Sequence, residues 1–172
     1  MNLKGENRLK ALENYIELYT PHVSRLCFFL CGNRHLANDI FQETWIKVIR
    51  NLEQFDETRD FGKWVSAICT NTYKNMHLKA KRENSIIFSD NAAMEAFWDL
   101  IPASSPGTAA DEYEALYDAI DVLTPKQREV IVLHYFSGYS ETECAEILGI
   151  PQNSVKSRMY SARQALKRRL NT

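Results

Sequence analysis

The chain has 172 residues, enough for one domain or two small ones. Charged residues make up 25% and apolar residues 45%, a balance that argues against wholesale disorder. The net charge is −1, only 6 Gly and 5 Pro are present where an all-β fold needs many turns, and the longest apolar run, Leu26 to Cys31, is far short of the ~20 residues of a membrane span.

The opening stretch, Met1 to Arg8, is too charged for a secretory leader, so a cytoplasmic location without membrane insertion is expected. Leu9, Leu12, Tyr15, Ile16 and Tyr19 recur at helical spacing, and Pro21 is expected to interrupt them. Val23 to Leu30 reads as another helix, closing near Gly32-Asn33. Leu36, Ile40, Phe41, Trp45, Val48 and Ile49 form a third apolar stripe, and Phe61, Trp64, Val65, Ile68, Thr72 and Met76 a fourth. Together they predict an α-helical domain over residues 1–82. Cys27, Cys31 and His35 recur at intervals that would put all three on one helix face, as zinc ligands could be. A structural zinc wants four ligands and no fourth is near, so no metal or other cofactor is expected. The cysteines read as small buried hydrophobes.

From about Glu83 to Asp111 the periodicity fails, and Ser104-Ser105-Pro106-Gly107 is a linker signature. Residues 83–110 are therefore read as a flexible acidic linker. Order returns at Tyr113, Leu116, Tyr117, Ile120 and Leu123, opening a second helical domain over 111–172. Thr124-Pro125-Lys126-Gln127 offers a Thr N-cap, Pro at the first helical position and Gln at the third, starting a helix through Val130, Ile131 and His134. Ser140-Glu141-Thr142-Glu143 is a second capping box, and Gly149 suits the turn that ends that helix. A last helix runs from about Gln152 into the tail. The fold class is thus all-α, with two small helical domains.

Charge is arranged in blocks that the net value hides. Residues 61–82 carry five bases and no acid, 83–125 nine acids and no base, and 147–172 six bases and no acid. Separated basic blocks suggest two contacts with a polyanion. The short helix, Gly-containing turn and longer basic helix of the C-terminal domain form a helix-turn-helix. Val155, Met159, Ala162 and Leu166 define the buried face of its last helix. The opposite face offers Asn153, Lys156, Ser157, Tyr160, Ser161 and Gln164, with side chains able to reach base edges or phosphates. No Gly-rich phosphate loop or His-Glu-x-x-His motif is present, and the four histidines are scattered, so no enzyme is expected.

Leu123 to Val130, Gly138 to Ile150, Ser154-Val155-Lys156-Ser157-Arg158 and Ala162-Arg163 through Leu166 closely resemble the fourth region of extracytoplasmic-function sigma factors, the small promoter-recognition subunits of bacterial RNA polymerase. The N-terminal half agrees. Ala37-Asn38-Asp39 and Gln42-Glu43-Thr44-Trp45 resemble the second region's polymerase-binding helix. Phe55-Asp56, Phe61-Gly62-Lys63-Trp64 and Ile68-Cys69-Thr70-Asn71 resemble its DNA-melting segment.

The resemblance implies a factor that binds core RNA polymerase and directs promoter-specific initiation. Asp39, Gln42 and Glu43 match positions that engage the polymerase clamp helices. Asn71 and the loop from Asp56 to Phe61 match the pocket for a flipped minus-ten base, with Lys63, Lys74, Asn75 and Lys79 on the same segment. Gln152, Asn153, Ser154, Lys156, Ser157, Arg158, Tyr160, Ser161 and Arg163 fall on the helix that reads the minus-thirty-five element. The implied partners are core polymerase, promoter DNA as duplex and melted strand, and an anti-sigma factor. Asn75 stands where many relatives have Asp, Leu78 where many have Arg, and Ser161 where some have a base-reading Arg, so promoter preference does not transfer. The runner-up is a helix-turn-helix activator of the quorum-sensing-regulator type, which 123–158 also resembles. It would need strand–helix alternation in the N-terminal half.

Overall fold

A computed structural model describes residues 3–32, 34–82 and 119–170. The expected linker, 83–110, and the start of the helix expected from Asp111 lie outside the described residues. The N-terminal half holds α1 (Leu3–Cys31), α2 (Arg34–Asn51), a 3-10 turn (Leu52–Gln54) and α3 (Phe61–Arg82). The C-terminal half holds α4 (Pro125–Ile131), a π-helical turn (Val132–Phe136), α5 (Glu141–Leu148) and α6 (Gln152–Leu170). Among the described residues there is no strand.

Pro21 does not split the first helix: α1 runs through it. The only intrahelical bond that Pro removes is the one to the carbonyl of Glu17. Both residues are exposed, so water can satisfy that carbonyl. Three buried residues per two turns (Val23, Leu26, Leu30) continue the apolar face past the proline and hold the helix straight enough to pack. His35 belongs to α2 and is exposed, whereas Cys27 and Cys31 are buried on α1. The three therefore do not share one helix face. Cys27 instead meets Cys69 of α3, Sγ to Sγ 3.4 Å.

The C-terminal half follows its local signals closely. Thr124 and Gln127 form a reciprocal capping box, as do Ser140 and Glu143. Gly149 ends α5 at φ +63°, and the Ile150 amide donates to the Ala145 carbonyl at 3.1 Å, closing a Schellman turn. The expected helix through His134 changes character after Ile131, where Val132–Phe136 widens to a π turn. That turn lets His134 Nδ1 donate to the Tyr139 carbonyl at 2.7 Å and carries Phe136 onto Phe29, ring centroids 4.0 Å apart.

The two halves share one continuous core. Val23, Leu26, Phe29, Ile40, Val48 and Val65 from the first join Val130, Leu133, Met159 and Ala162 from the second. Each fully buried side chain of this size contributes about 1.5–3 kcal/mol of burial free energy. Polar contacts fix the seam. Buried Arg128 donates from Nη1 to the Leu30 carbonyl at 3.3 Å, satisfying one of the last carbonyls of α1, and from Nη2 to Ile120 O at 3.1 Å and Asp121 Oδ1 at 3.0 Å.

Candidate nucleic-acid and polymerase interfaces

Three surfaces carry the residues singled out in the sequence. The first is the outer face of α2. Asp39 and Gln42 are exposed there. Glu43 is half-buried and pairs with Lys47 at 3.6 Å, while Lys47 also donates to Thr72 Oγ1 of α3 at 3.0 Å. Ile46 (41% exposed) and Ile49 (52% exposed) stand on the same face. The apolar stripe read from the sequence included Ile49. Nine residues from buried Ile40 are two and a half helical turns, however, which turns Ile49 to the opposite side. That arithmetic was the available signal, and it adds two apolar side chains to a face otherwise read as polar.

The second surface is the 55–60 loop and α3. Asp56 is exposed and accepts from Thr58 N at 3.0 Å and Thr58 Oγ1 at 2.7 Å. These hydrogen bonds to Thr58 hold its carboxyl below the ordinary value. Asp60, which the sequence reading did not single out, starts α3: its Oδ1 accepts from Lys63 N at 2.7 Å. Gly62 sits in a crowded place: a Cβ there would lie 3.0 Å from Asp60 Oδ1 and from the Tyr19 ring, so those side chains would have to shift by a few tenths of an ångström.

Phe61 needs correction as a DNA contact. It is 4% exposed and stacked on Tyr15, with ring centroids 3.9 Å apart, and it touches Phe55 and Trp64 edge-on or tilted. Its apolar ring anchors the loop in the core, where no strand can reach it. Further along α3, Asn71, Asn75 and Lys79 are exposed and share one edge with Leu78.

Lys63 and Lys74 face inward across the seam. Lys63 Nζ lies 3.0 Å from Glu143 Oε1 and 3.4 Å from Glu146 Oε2 of α5. Lys74 Nζ lies 3.8 Å from Glu129 Oε2 of α4. The Ser140 amide, Lys63 and the Ser140 hydroxyl together depress the Glu143 carboxyl to about 2, and Glu143 raises Lys63 in turn. A groove of about 550 Å³ opens beside this cluster, lined by Arg59, Asp60, Lys63, Trp64 and Ala67 on one wall and Glu146 and Ile147 on the other.

The third surface is α6. Val155, Met159 and Ala162 are buried, as the spacing predicts, and Leu166 is half-buried. Asn153, Lys156, Ser157, Tyr160 (66% exposed), Ser161 and Gln164 all face outward. Three other candidates are engaged within the domain. Gln152 donates to Thr142 Oγ1 at 3.1 Å, Arg163 lies 4.0 Å from Glu141, and Arg158 reaches Glu129. Ser154 is half-buried. Among the described residues no group of three or more His, Cys, Asp or Glu is arranged to hold a metal, and no helix is long and apolar enough to cross a membrane.

Comparison with known proteins bears on these surfaces. Residues 15–83 match the family Sigma-70 region 2, and residues 113–166 match Sigma-70, region 4. The chain is 29% identical to the ECF RNA polymerase sigma factor SigW of Bacillus subtilis, over 93% of this chain and 89% of the relative. It is 32% identical to the RNA polymerase sigma-H factor of Pseudomonas aeruginosa, over 97% of this chain and 89% of the relative. Among solved structures, the fold is like that of the sigma factor RpoE from Bartonella quintana, crystallised with the anti-sigma factor NepR, at TM-score 0.77 and 23% identity, covering 95% of this chain and 98% of that one. The quorum-sensing-regulator alternative is set aside, because the N-terminal half is helical and matches sigma region 2. Residues of both regions, in the order and on the helices that the sequence marks out, place this chain in the ECF class of RNA polymerase sigma factors, which are non-enzymatic initiation factors that bring core polymerase to specific promoters.

Proposed function

We propose a division of labour among the three surfaces. Residues 1–82 bind core polymerase and the minus-ten element, 83–110 act as the acidic connector, and 111–172 read the minus-thirty-five element. The face of α2 with Asp39, Gln42 and Glu43 docks on the polymerase clamp, and exposed Ile46 and Ile49 supply apolar contact beside the charges. The outer edge of α3, with Asn71, Asn75 and Lys79, takes the melted minus-ten strand, and Asp56 shapes the adjoining loop. Lys156, Ser157, Tyr160 and Ser161 enter the major groove, with Asn153 near the helix start.

The observation that carries this reading is the sidedness of α6. Val155, Met159 and Ala162 are turned to the core, with Leu166 half-buried beside them, while a row of short polar side chains, Lys156 and Tyr160 is left open to solvent. A helix presented in this way has the width and chemistry for a major groove. Gln152, Ser154, Arg158 and Arg163 then support the helix from its flanks and inner side. The protein works in the cytoplasm, where polymerase and promoter are. An anti-sigma factor, of the kind bound in the Bartonella quintana structure, is its proposed regulator.

The test is transcription with purified core polymerase on a library of genomic promoters. The full chain should give discrete start sites that core alone does not. Asp39→Ala with Gln42→Ala should lower core affinity with the fold unchanged, and undiminished affinity in that folded variant would remove the α2 assignment.

A further inference from the structure

The start of α6 holds a side chain whose polar edge is only partly used. The Pro151 carbonyl accepts from the Ser154 amide at 2.9 Å and from the Val155 amide at 3.3 Å, which makes Gln152 the first residue of the helix. Gln152 and Lys156 are four apart, share the outer face and are both exposed. In a helix-turn-helix the N-terminal residues of the second helix reach base edges, while the first helix crosses the sugar–phosphate backbone. Gln152 therefore stands where a base is read. Thr142, the second residue of α5, stands where the backbone passes.

The two side chains are joined. Gln152 Nε2 donates to Thr142 Oγ1 at 3.1 Å across the Gly149 turn, and both residues are exposed. Buried Cys144, Ile147 and Leu148 of α5 and Val155 and Met159 of α6 hold the two helices at a fixed spacing beneath that bond. A primary amide carries two N–H donors and one carbonyl acceptor. The bond to Thr142 uses one N–H and leaves the other with Oε1, a donor beside an acceptor. Adenine offers the complement in the major groove, where N7 accepts and N6–H donates. Guanine shows two acceptors there and cytosine a donor alone, so neither matches both groups. The Thr142 hydroxyl, while accepting from Gln152, still has its own hydrogen to donate to a passing phosphate oxygen.

We infer that Gln152 reads an adenine of the minus-thirty-five element and that Thr142 is its positioning residue, held in turn by a DNA phosphate. This rests on the reading of α6 as the minus-thirty-five helix. A free glutamine has several side-chain torsions to fix when it binds, and the bond to Thr142 fixes the amide before DNA arrives. Gln152 lies about 6 Å along the helix axis from Lys156. The adenine is therefore about one or two base pairs, at ~3.4 Å each, from the pair under Lys156.

The experiment uses the holoenzyme, the full chain with core polymerase, and a duplex promoter library randomised over the minus-thirty-five element. Sequencing the bound DNA gives the base preference at each position. The wild type should favour adenine at one position, and Gln152→Ala should reduce that preference about tenfold while leaving the other positions as they were. Gln152→Glu should turn the same position toward cytosine, whose N4 amine donates to a carboxylate. Thr142→Val removes the hydroxyl at nearly constant shape and should weaken the same preference about threefold. Thr142→Ser should restore it, and Thr142→Val should add nothing once Gln152 is Ala. Both positions are exposed, so the fold tolerates these changes. A wild-type preference that survives Gln152→Ala, or a loss at a position favouring guanine or a pyrimidine, overturns the adenine assignment. An unaltered preference in Thr142→Val overturns the positioning role. A wild-type holoenzyme with no base preference anywhere in the element would instead strike the reading of α6 itself.

Discussion

Arg158 turns its guanidinium inward, placing Nη1 3.7 Å from Oε2 of Glu129, a carboxylate only 2% exposed. Lys74 approaches the same oxygen from the other half of the molecule at 3.8 Å. Neither distance is a hydrogen bond, and the oxygen has no hydrogen-bond partner in the structure. The attraction is Coulombic, and burial outweighs it: the Glu129 carboxyl is raised above its ordinary value despite Lys74, Arg158 and Lys126. Arg158 is thus a structural cation on a helix otherwise devoted to an outer surface.

Arg158→Ala should therefore destabilise the fold, because it leaves a buried carboxylate short of one of its cations. The expected loss is about 2–3 kcal/mol, in the range for an under-satisfied buried charge. Lys156→Ala, two positions away and exposed, should change stability by no more than about 0.5 kcal/mol. Urea unfolding of the two variants checks this. Equal stabilities would mean that Glu129 takes up its proton or finds water instead.

Lys156→Ala should show its effect on DNA. If Lys156 reads a base edge, the loss at the minus-thirty-five element is about 1–3 kcal/mol and falls on one promoter position. If it holds a phosphate, the loss is uniform across sequences and the salt slope drops by about 0.9. Titration of duplex by the polymerase holoenzyme at several salt concentrations separates the two. Unchanged affinity and slope would move the reading face along α6.

Asn71→Ala should impair promoter opening more than closed-complex formation. Asn71 is exposed on the outer edge of α3, so its removal costs the fold little. A residue that reads an extruded base acts only on an unstacked strand. A pre-melted bubble template should recover part of the lost transcription but not the discrimination at that base. Equal defects on duplex and bubble would assign Asn71 to docking.

Local chemistry made the C-terminal half legible. Thr124 with Gln127, Ser140 with Glu143 and Gly149 each fix a helix end through neighbours in the chain, and the resulting α6 puts Val155, Met159 and Ala162 inside. Contacts made at long range were not legible. Periodicity cannot tell that Lys63 and Lys74 face acids on α5 and α4, or that Arg128 caps the Leu30 carbonyl, because those partners are brought together only when the halves pack. Phe61 lay within a motif resembling a DNA contact, yet its ring belongs with Tyr15 in the core. Pro21 misled for the opposite reason, since a rule about lost hydrogen bonds has little force where the orphaned carbonyl faces water.

The last expectation concerns His22, at the seam between α1, α3 and Tyr139. Its Nε2 shares a hydrogen bond with Ser66 Oγ, and its ring stands edge-on to Tyr19 and Tyr139. Burial, then Arg25, lowers its pKa below the ordinary 6.5, and Asp60 opposes them. In the window between 6.5 and that lowered value the unfolded chain takes up a proton that the packed chain refuses. Packing stability is therefore full above 6.5 and declines as the pH falls through the window, by no more than about 1.4 kcal/mol per pH unit. Two carboxylates respond to acid as well: Glu143, depressed to about 2, costs stability as acid is added, and Glu129, raised, returns some. Comparing the wild type with His22→Gln isolates the histidine, because Gln can keep a hydrogen bond to Ser66 without titrating. Between about pH 7.5 and about pH 5.5 the wild type should lose more denaturation free energy than His22→Gln, and scattering should show it expanding first. Parallel curves for the two proteins would mean that His22 meets acid without opening the seam.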